Sequence, residues 1–154
     1  MKFEIVPFQP QYANIFKDLN VEWLEKHFVV EKHDEDVLAN CKENIIDTGG
    51  AIYFAKIDKN IVGCFAFYKI GENRFELTKM AVSPNFRGQK IGQQLLQFAI
   101  NAAKEKQFDE LLLYSSRKLE NAIYLYRKYG FIEVPLEENS PYKRADIKMV
   151  YPLS

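Results

Sequence analysis

Along this chain the spacing of apolar side chains changes period repeatedly. Lys2 to Phe8 alternates, with Phe3 and Ile5 on one side and Glu4 and Val6 on the other. That pattern predicts a strand ending at Pro7. From Pro10 the period lengthens. Tyr12, Ile15, Phe16, Leu19 and Trp23 fall at helical spacing, so a helix is expected to about Lys26. Val37, Leu38, Cys41, Ile45 and Ile46 form the inner face of a second helix. Asp34 is its expected N-cap, Glu35 and Asp36 suit its first turn, and Gly49 and Gly50 stop it. Ala51 to Ile57, Ile61 to Ile70 and Arg74 to Val82 then read as a three-strand meander. Asp58-Lys59-Asn60 is its first turn, with Asn60 in the left-handed region, and Gly71-Glu72-Asn73 its second.

Ser83-Pro84-Asn85-Phe86 breaks the ladder, because Pro84 has no N–H to donate. From Arg87 the pattern becomes helical. Ile91, Leu95, Phe98, Ala99, Ala102 and Ala103 share one face of a helix that ends near Lys106-Gln107. Leu111 to Tyr114 is a continuous apolar run, as in a strand buried on both faces. Arg117 to Tyr129 predicts a helix stopped by Gly130. Phe131 to Val134 is a short strand, Glu137 to Ser140 a polar loop, and Ala145 to Tyr151 a last alternating strand. The order is β-α-α-β-β-β-α-β-α-β-β. It predicts an α+β fold, a mixed β-sheet flanked by helices. The unit from Leu77 to Tyr114 should be a right-handed crossover with parallel ends.

One junction in this order carries chemistry. A strand feeds the turn Arg87-Gly88-Gln89-Lys90-Ile91-Gly92, which opens the long helix. The first N–H groups of a helix lack internal partners, and the macrodipole makes that end positive. Gly88 permits positive φ and close approach of a ligand, Gly92 clears the first turn, and Arg87 and Lys90 add cations. The turn therefore suits a pyrophosphate. The same residues also describe a surface helix start with two solvated cations.

Composition narrows the classes. The chain has 154 residues, a length expected to form one domain, residues 1–154. Its 21 basic and 21 acidic residues cancel, so no global field favours nucleic acid or a membrane surface. Cys41 and Cys64 have no metal or redox spacing and are expected to be buried thiols, as in a cytoplasmic protein. MKFEIVPFQP has neither the apolar run of a signal peptide nor that of a membrane span. The two histidines, His27 and His33, have no third partner at suggestive spacing, so no metal site is expected.

Two segments carry a resemblance. Leu77 to Leu96, LTKMAVSPNFRGQKIGQQLL, resembles the acyl-CoA-binding segment of the GNAT superfamily of N-acetyltransferases. That family's signature is Gln/Arg-x-x-Gly-x-Gly/Ala. Arg87 and Gly92 match its ends, and Lys90 stands where Gly is usual. Asn121 to Phe131, NAIYLYRKYGF, resembles the family's late helix, Ala-x-x-Leu-Tyr-x-Lys-x-Gly-Phe. The resemblance runs from about Phe54 to Phe131. It implies the element order above, with two central parallel strands splayed apart, and acetyl-CoA as acyl donor. It also implies a primary amine as acceptor, the amine of a small molecule or a protein N-terminus or lysine. A homodimer through the last strands is compatible with it. A regulatory module that binds acyl-CoA without turnover is the alternative outside enzymes.

The resemblance assigns roles residue by residue. Gly88, Gln89, Lys90, Ile91 and Gly92 would offer backbone N–H groups to the pyrophosphate, with Arg87 and Lys90 as charge and Gln93 in support. Met80, Ala81 and Val82 would line the thioester arm, and one N–H near Met80 or Ala81 would stabilise the oxyanion. Tyr126 would protonate the leaving thiolate, although its spacing with Leu119, Ala122 and Ile123 also fits a core tyrosine. Glu76 would be the general base, since simple alternation puts it on one face with Thr78, Met80 and Val82. It could equally be a solvated strand carboxylate. Trp23, Phe28, Tyr142 and Arg144 are the expected acceptor contacts, with Glu31, His33 and Asp34 nearby. The acids from Glu31 to Asp36 fit either a cationic amine or a helix N-terminus. Leu119 stands where many members have an Asn that touches the coenzyme. Ser115 and Ser116 are read as ordinary strand-end and capping residues.

Overall fold

A computed structural model describes residues 2–153. Seven strands form one mixed sheet: β1 Phe3–Pro7, β2 Ala51–Ile57, β3 Asn60–Gly71, β4 Arg74–Val82, β5 Glu110–Ser115, β6 Ile132–Val134 and β7 Ile147–Tyr151. Their order across the sheet is β1-β2-β3-β4-β5-β7-β6. Four α-helices flank it: α1 Ala13–His27, α2 Lys32–Ala39, α3 Ile91–Glu105 and α4 Glu120–Lys128. The element order is the predicted one. Only β4 and β5 pair in parallel, joined by the α3 crossover.

The sheet separates two apolar layers. On one face Leu95, Leu96, Ala99, Ile100 and Ala103 of α3 pack against Phe65, Phe67, Phe75 and Leu111. Each fully buried Leu or Ile there contributes about 1.5–3 kcal/mol. On the other face Phe16 and Leu24 of α1 and Val37 and Leu38 of α2 cover Phe54, Cys64, Ala66 and Ala81. Cys41 and Cys64 are both buried free thiols.

Several local expectations change. The first turn after Pro10 is a 3-10 turn, and α1 begins at Ala13. The second helix is divided into α2 and a π-helical turn, Lys42–Ile46. Its N-cap is Glu31, not Asp34. Glu31 and Asp34 form a reciprocal capping box in which the Glu31 N–H donates to Asp34 Oδ2 at 3.0 Å. In the first meander turn Asp58, at φ 55°, takes the left-handed conformation expected of Asn60, which instead pairs with Ile57. The long helix begins at Ile91, four residues after Arg87, because Arg87 is extended and Lys90 is left-handed at φ 63°.

The largest change lies in β4. Thr78 pairs with Ala66 and Ala81 with Cys64, so Lys79 and Met80 together oppose the single residue Phe65. Lys79 sits at φ 57°. This is a β-bulge, and it shifts the alternation by one. Phe75 and Leu77 face the α3 layer before it, and Met80 and Val82 face that layer after it. Ala81 faces the α1–α2 layer. Glu76 and Thr78 therefore lie on the face opposite to Met80 and Val82, not on the shared face that simple alternation predicts. Cys64 holds the bulge by donating its S–H to the Lys79 carbonyl at 3.5 Å, while buried Asn20 donates to Cys64 Sγ at 3.4 Å.

Candidate active site

The parallel pairing of β4 with β5 stops early. It joins Arg74 to Glu110, Phe75 to Leu111 and Glu76 to Leu112, and no further. Beyond that point Leu113 to Ser115 pair only with β7, and the bulge directs Lys79 and Met80 out of the ladder. A cavity of about 110 Å³ lies in the opening. Met80, Leu119, Ala122 and Tyr126 line it together with Trp23, Phe28, Tyr142 and Arg144. The fold thus gathers residues from α1, β4, α4 and the loop before β7.

The turn ahead of α3 stands open. None of the backbone N–H groups from Arg87 to Gln93 donates to a protein acceptor among the described residues; the first to do so is that of Gln94, to the Lys90 carbonyl at 3.1 Å. A Cβ placed on Gly88 or Gly92 would meet nothing within 4 Å. This is free space beside unsatisfied donors at a helix N-terminus, which fits a pyrophosphate. Ile91 is anchored in the core, so it can offer only its backbone. Gln89 and Lys90 are exposed. Arg87 is partly committed elsewhere. Its Nε donates to the Val82 carbonyl at 3.1 Å, and its Nη2 pairs with Glu22 at 2.6 Å. Gln93 accepts from the Tyr129 hydroxyl at 3.4 Å.

Lys90 explains why Gly is usual at its place. A residue with a Cβ in the left-handed region costs about 1–2 kcal/mol, whereas Gly is at ease there. Lys90→Gly is expected to raise stability by up to about 1 kcal/mol, the relief of strain being offset in part by the freer unfolded chain. Thermal denaturation of the two proteins checks this. A lower melting temperature for Lys90→Gly would mean that the lysine side chain holds the turn.

Of Met80, Ala81 and Val82, only Met80 reaches the cavity. Ala81 points into the α1–α2 layer and Val82 packs on the α3 layer, so their backbone is what they present. The Tyr126 hydroxyl makes no hydrogen bond among the described residues, and its ring packs edge-on to Phe131. Burial pushes its phenol up to about 12.

The Arg144 wall of the cavity rests on a charge cluster that no local sequence pattern assembles. Asp34, fully buried, accepts Arg144 Nη1 at 2.6 Å, Arg144 Nη2 at 2.9 Å and Lys79 Nζ at 2.6 Å. Burial alone would raise the Asp34 carboxyl, but its bonds to Arg144 and Lys79 outweigh that and hold it well below the usual carboxylate range. Burial pulls the Lys79 ammonium down, against the pull of Asp34. Glu31 accepts the backbone N–H groups of Lys143 and Arg144. Glu31 and Asp34 are therefore occupied and do not line the cavity. His33 does not line the cavity and packs against Tyr142, the rings tilted by 60° at 5.4 Å between centres.

Glu76 is buried, not solvated, with 2% exposure. It accepts the Tyr142 hydroxyl at 2.7 Å, and burial raises its carboxyl despite that bond. It does not line the cavity. Among the described residues, no group of three or more His, Cys, Asp or Glu could hold a metal ion, and no helix is long and apolar enough to cross a membrane.

A model of the acetyltransferase (GNAT) family matches residues 13–131. The chain belongs to the GNAT family. It is 30% identical over 122 residues to the spermidine N(1)-acetyltransferase of Thermoplasma acidophilum, covering 78% of this chain and 72% of that protein. It is 24% identical over 114 residues to N-acetyltransferase family 8 member 2 of Rattus norvegicus, covering 71% of this chain and 50% of that one. It spans half or less of the length of several curated relatives. Among solved structures, a GNAT acetyltransferase of Staphylococcus aureus Mu50 superposes with a TM-score of 0.86 at 23% identity, over 99% of this chain and 100% of that chain. The PaiA N-acetyltransferase of Thermoplasma acidophilum, crystallised with coenzyme A, gives 0.73 at 21% identity, over 98% and 99%.

Proposed function

We propose that this GNAT domain transfers the acetyl group of acetyl-CoA to the primary amine of a small molecule, directly, in a ternary complex. The observation that carries this is the single cavity between β4 and β5. It brings the Tyr126 side, continuous with Met80, against an aromatic and cationic side made of Trp23, Phe28, Tyr142 and Arg144. A donor thioester and an acceptor amine entering from opposite sides meet there without a covalent enzyme intermediate. The open N–H groups from Arg87 to Gln93 hold the pyrophosphate. An N–H at the bulge, near Met80 or Ala81, stabilises the oxyanion. Tyr126 donates a hydrogen bond to the departing thiolate, and Glu76 receives the amine's proton.

The acceptor side has its own preference. Arg144 and Lys79 line the cavity, and no carboxylate does. A polycation gains nothing from such a lining, even though a spermidine acetyltransferase is among the relatives. An aromatic monoamine fits better, its ring against the cavity-lining Trp23 and Phe28. Cations beside the amine also favour its neutral, nucleophilic form.

Thermal-shift titration with acetyl-CoA, CoA and ATP tests the donor site. A ligand at 100 times its Kd adds about 2.7 kcal/mol, which is several degrees for a chain of this size. Stabilisation by acetyl-CoA and CoA but not ATP is expected. Thiol release with phenethylamine and with spermidine then tests turnover, with phenethylamine expected to be the better acceptor. Coenzyme binding without thiol release to any amine would mean a non-catalytic acyl-CoA-binding module.

A further inference from the structure

Glu76 lies just behind the acceptor cavity, in contact with two of its lining side chains, Tyr142 and Thr78. Glu76 lines a second cleft, with His33, Tyr114 and Lys148, and Tyr142 stands between that cleft and the acceptor cavity. Tyr142 lines the acceptor cavity itself and is only 4% exposed. Its hydroxyl donates to Glu76 Oε2 at 2.7 Å and lies 3.2 Å from Thr78 Oγ1.

We propose that Tyr142 is a catalytic proton relay, taking the proton of the acceptor amine on its phenol oxygen while passing its own proton to Glu76. The inference rests on the amine-acetylation reading above and adds a residue to it. The phenol oxygen has two lone pairs. The Thr78 hydroxyl, as donor, occupies one, and the other has no partner among the described residues, which leaves it for the amine. As the amine nitrogen bonds to the thioester carbon it becomes positive. Its N–H proton moves to the Tyr142 oxygen, and the phenol proton moves to the Glu76 carboxylate. Tyr142 ends as neutral phenol, Glu76 as carboxylic acid, and the nitrogen as a neutral amide once the C–S bond breaks and the thiolate leaves. Glu76 then returns its proton to solvent through the second cleft.

The surroundings fit a relay and not a free phenolate. Burial and the neighbouring Glu76 hold the Tyr142 phenol well above 10, so its own proton leaves only as another arrives. Lys79 Nζ lies 4.9 Å and Arg144 Cζ 4.5 Å from its ring centre. Those two cations, on β4 and the loop before β7, stabilise Glu76 as carboxylate until it is needed. From α2 the facing group is His33, whose imidazole burial and Lys79 push below its usual value. From β3, β4 and β5 the second cleft presents Tyr68, Arg74 and Tyr114, and from the last loop and β7 it presents Glu137 and Lys148.

The test uses acetyl transfer to phenethylamine, followed by thiol release. Tyr142→Phe keeps the ring under its two cations and removes only the hydroxyl. Tyr142→Phe and Glu76→Gln are each expected to lower kcat about 10²-fold, with the KM for acetyl-CoA unchanged. The double variant should be no slower than the worse single one. The acidic limb of the wild-type kcat/KM profile, where Glu76 takes up a proton and ceases to act as a base, should vanish in both. Losses that multiply in the double variant would overturn the relay, as would a Tyr142→Phe enzyme that keeps its rate and its limb. If either variant fails to fold, a proton inventory of single-turnover rates on the unaltered protein in H2O–D2O mixtures decides. A curved inventory, with more than one proton in flight, is expected, and a linear one overturns the proposal. Absence of thiol release by the wild-type protein would instead overturn the acetylation reading, and the relay with it.

Discussion

Replacing Asp34 with alanine is expected to destabilise the fold by about 3–5 kcal/mol, which lowers the melting temperature by about 10 °C. The reason is what remains behind. Arg144 and Lys79 both terminate on the Asp34 carboxylate, and the Lys79 side chain is 3% exposed. Without Asp34 an ammonium is buried beside a guanidinium with no counter-charge. Domain stabilities are typically 5–15 kcal/mol, so this single change takes a large part of the total. The pH dependence has a definite sign. The folded Asp34 carboxyl titrates below the usual carboxylate range, whereas the unfolded one titrates near ~3.9. Between those values the unfolded chain binds more protons, so the Asp34 contribution is fully present above about pH 5 and is lost as pH falls toward the folded value. Thermal denaturation from pH 7 to pH 3 should show that acid loss in the wild type and a smaller one in Asp34→Ala. A variant within about 1 kcal/mol of wild type at pH 7 would show that water replaces the carboxylate at little cost.

Replacing Tyr126 with phenylalanine is expected to lower kcat about 10-fold, and at most 10²-fold, with no change in acetyl-CoA affinity or melting temperature. Stability should hold because the hydroxyl has no protein partner among the described residues and the ring packing is retained. The size of the loss follows from the phenol. Burial pushes it up to about 12, while a free thiol titrates near ~8.5. Complete transfer of the tyrosine proton to the thiolate is therefore uphill by roughly 5 kcal/mol, at about 1.4 kcal/mol per unit. A hydrogen bond to the developing thiolate is worth less than full protonation but costs nothing to arrange in advance. Steady-state kinetics beside isothermal titration with CoA separates the two effects. An unchanged kcat would remove Tyr126 from the mechanism, and weakened CoA binding with unchanged kcat would make it a binding residue.

The elements were legible because each buries one face and so prints its period into the apolar spacing. The α3 face from Ile91 to Ala103 and the continuous run Leu111 to Leu113 are of this kind. The residues meant to line one cavity were legible too, as far as the late-helix motif and the aromatic positions Trp23, Phe28 and Tyr142 could be read. What escaped depends on backbone conformations that the residue types do not announce. Lys79 and Lys90 occupy left-handed conformations where Gly or Asn would have signalled a bulge or a cap. The bulge put Glu76 and Met80 on opposite faces, and so concealed that the carboxylate lies behind Tyr142 and Thr78, which line the cavity. The Asp34–Lys79–Arg144 cluster escaped for a different reason. Its members are separated by 45 and 110 positions along the chain, and no local pattern joins them. The one available sign was Glu31 three residues before Asp34, a capping box with carboxylates at both ends.

The bulge also has a consequence in genetic terms. Removing the codon for Lys79 would leave a strand that alternates without interruption, Phe75 and Leu77 followed by Met80 and Val82 toward one layer, Glu76 and Thr78 followed by Ala81 toward the other. As far as the sheet is concerned, that shorter gene encodes the more regular protein. The extra codon supplies the ammonium paired with Asp34 and the turned-out backbone at Met80, so the irregularity in the sheet is what shapes the edge of the candidate site.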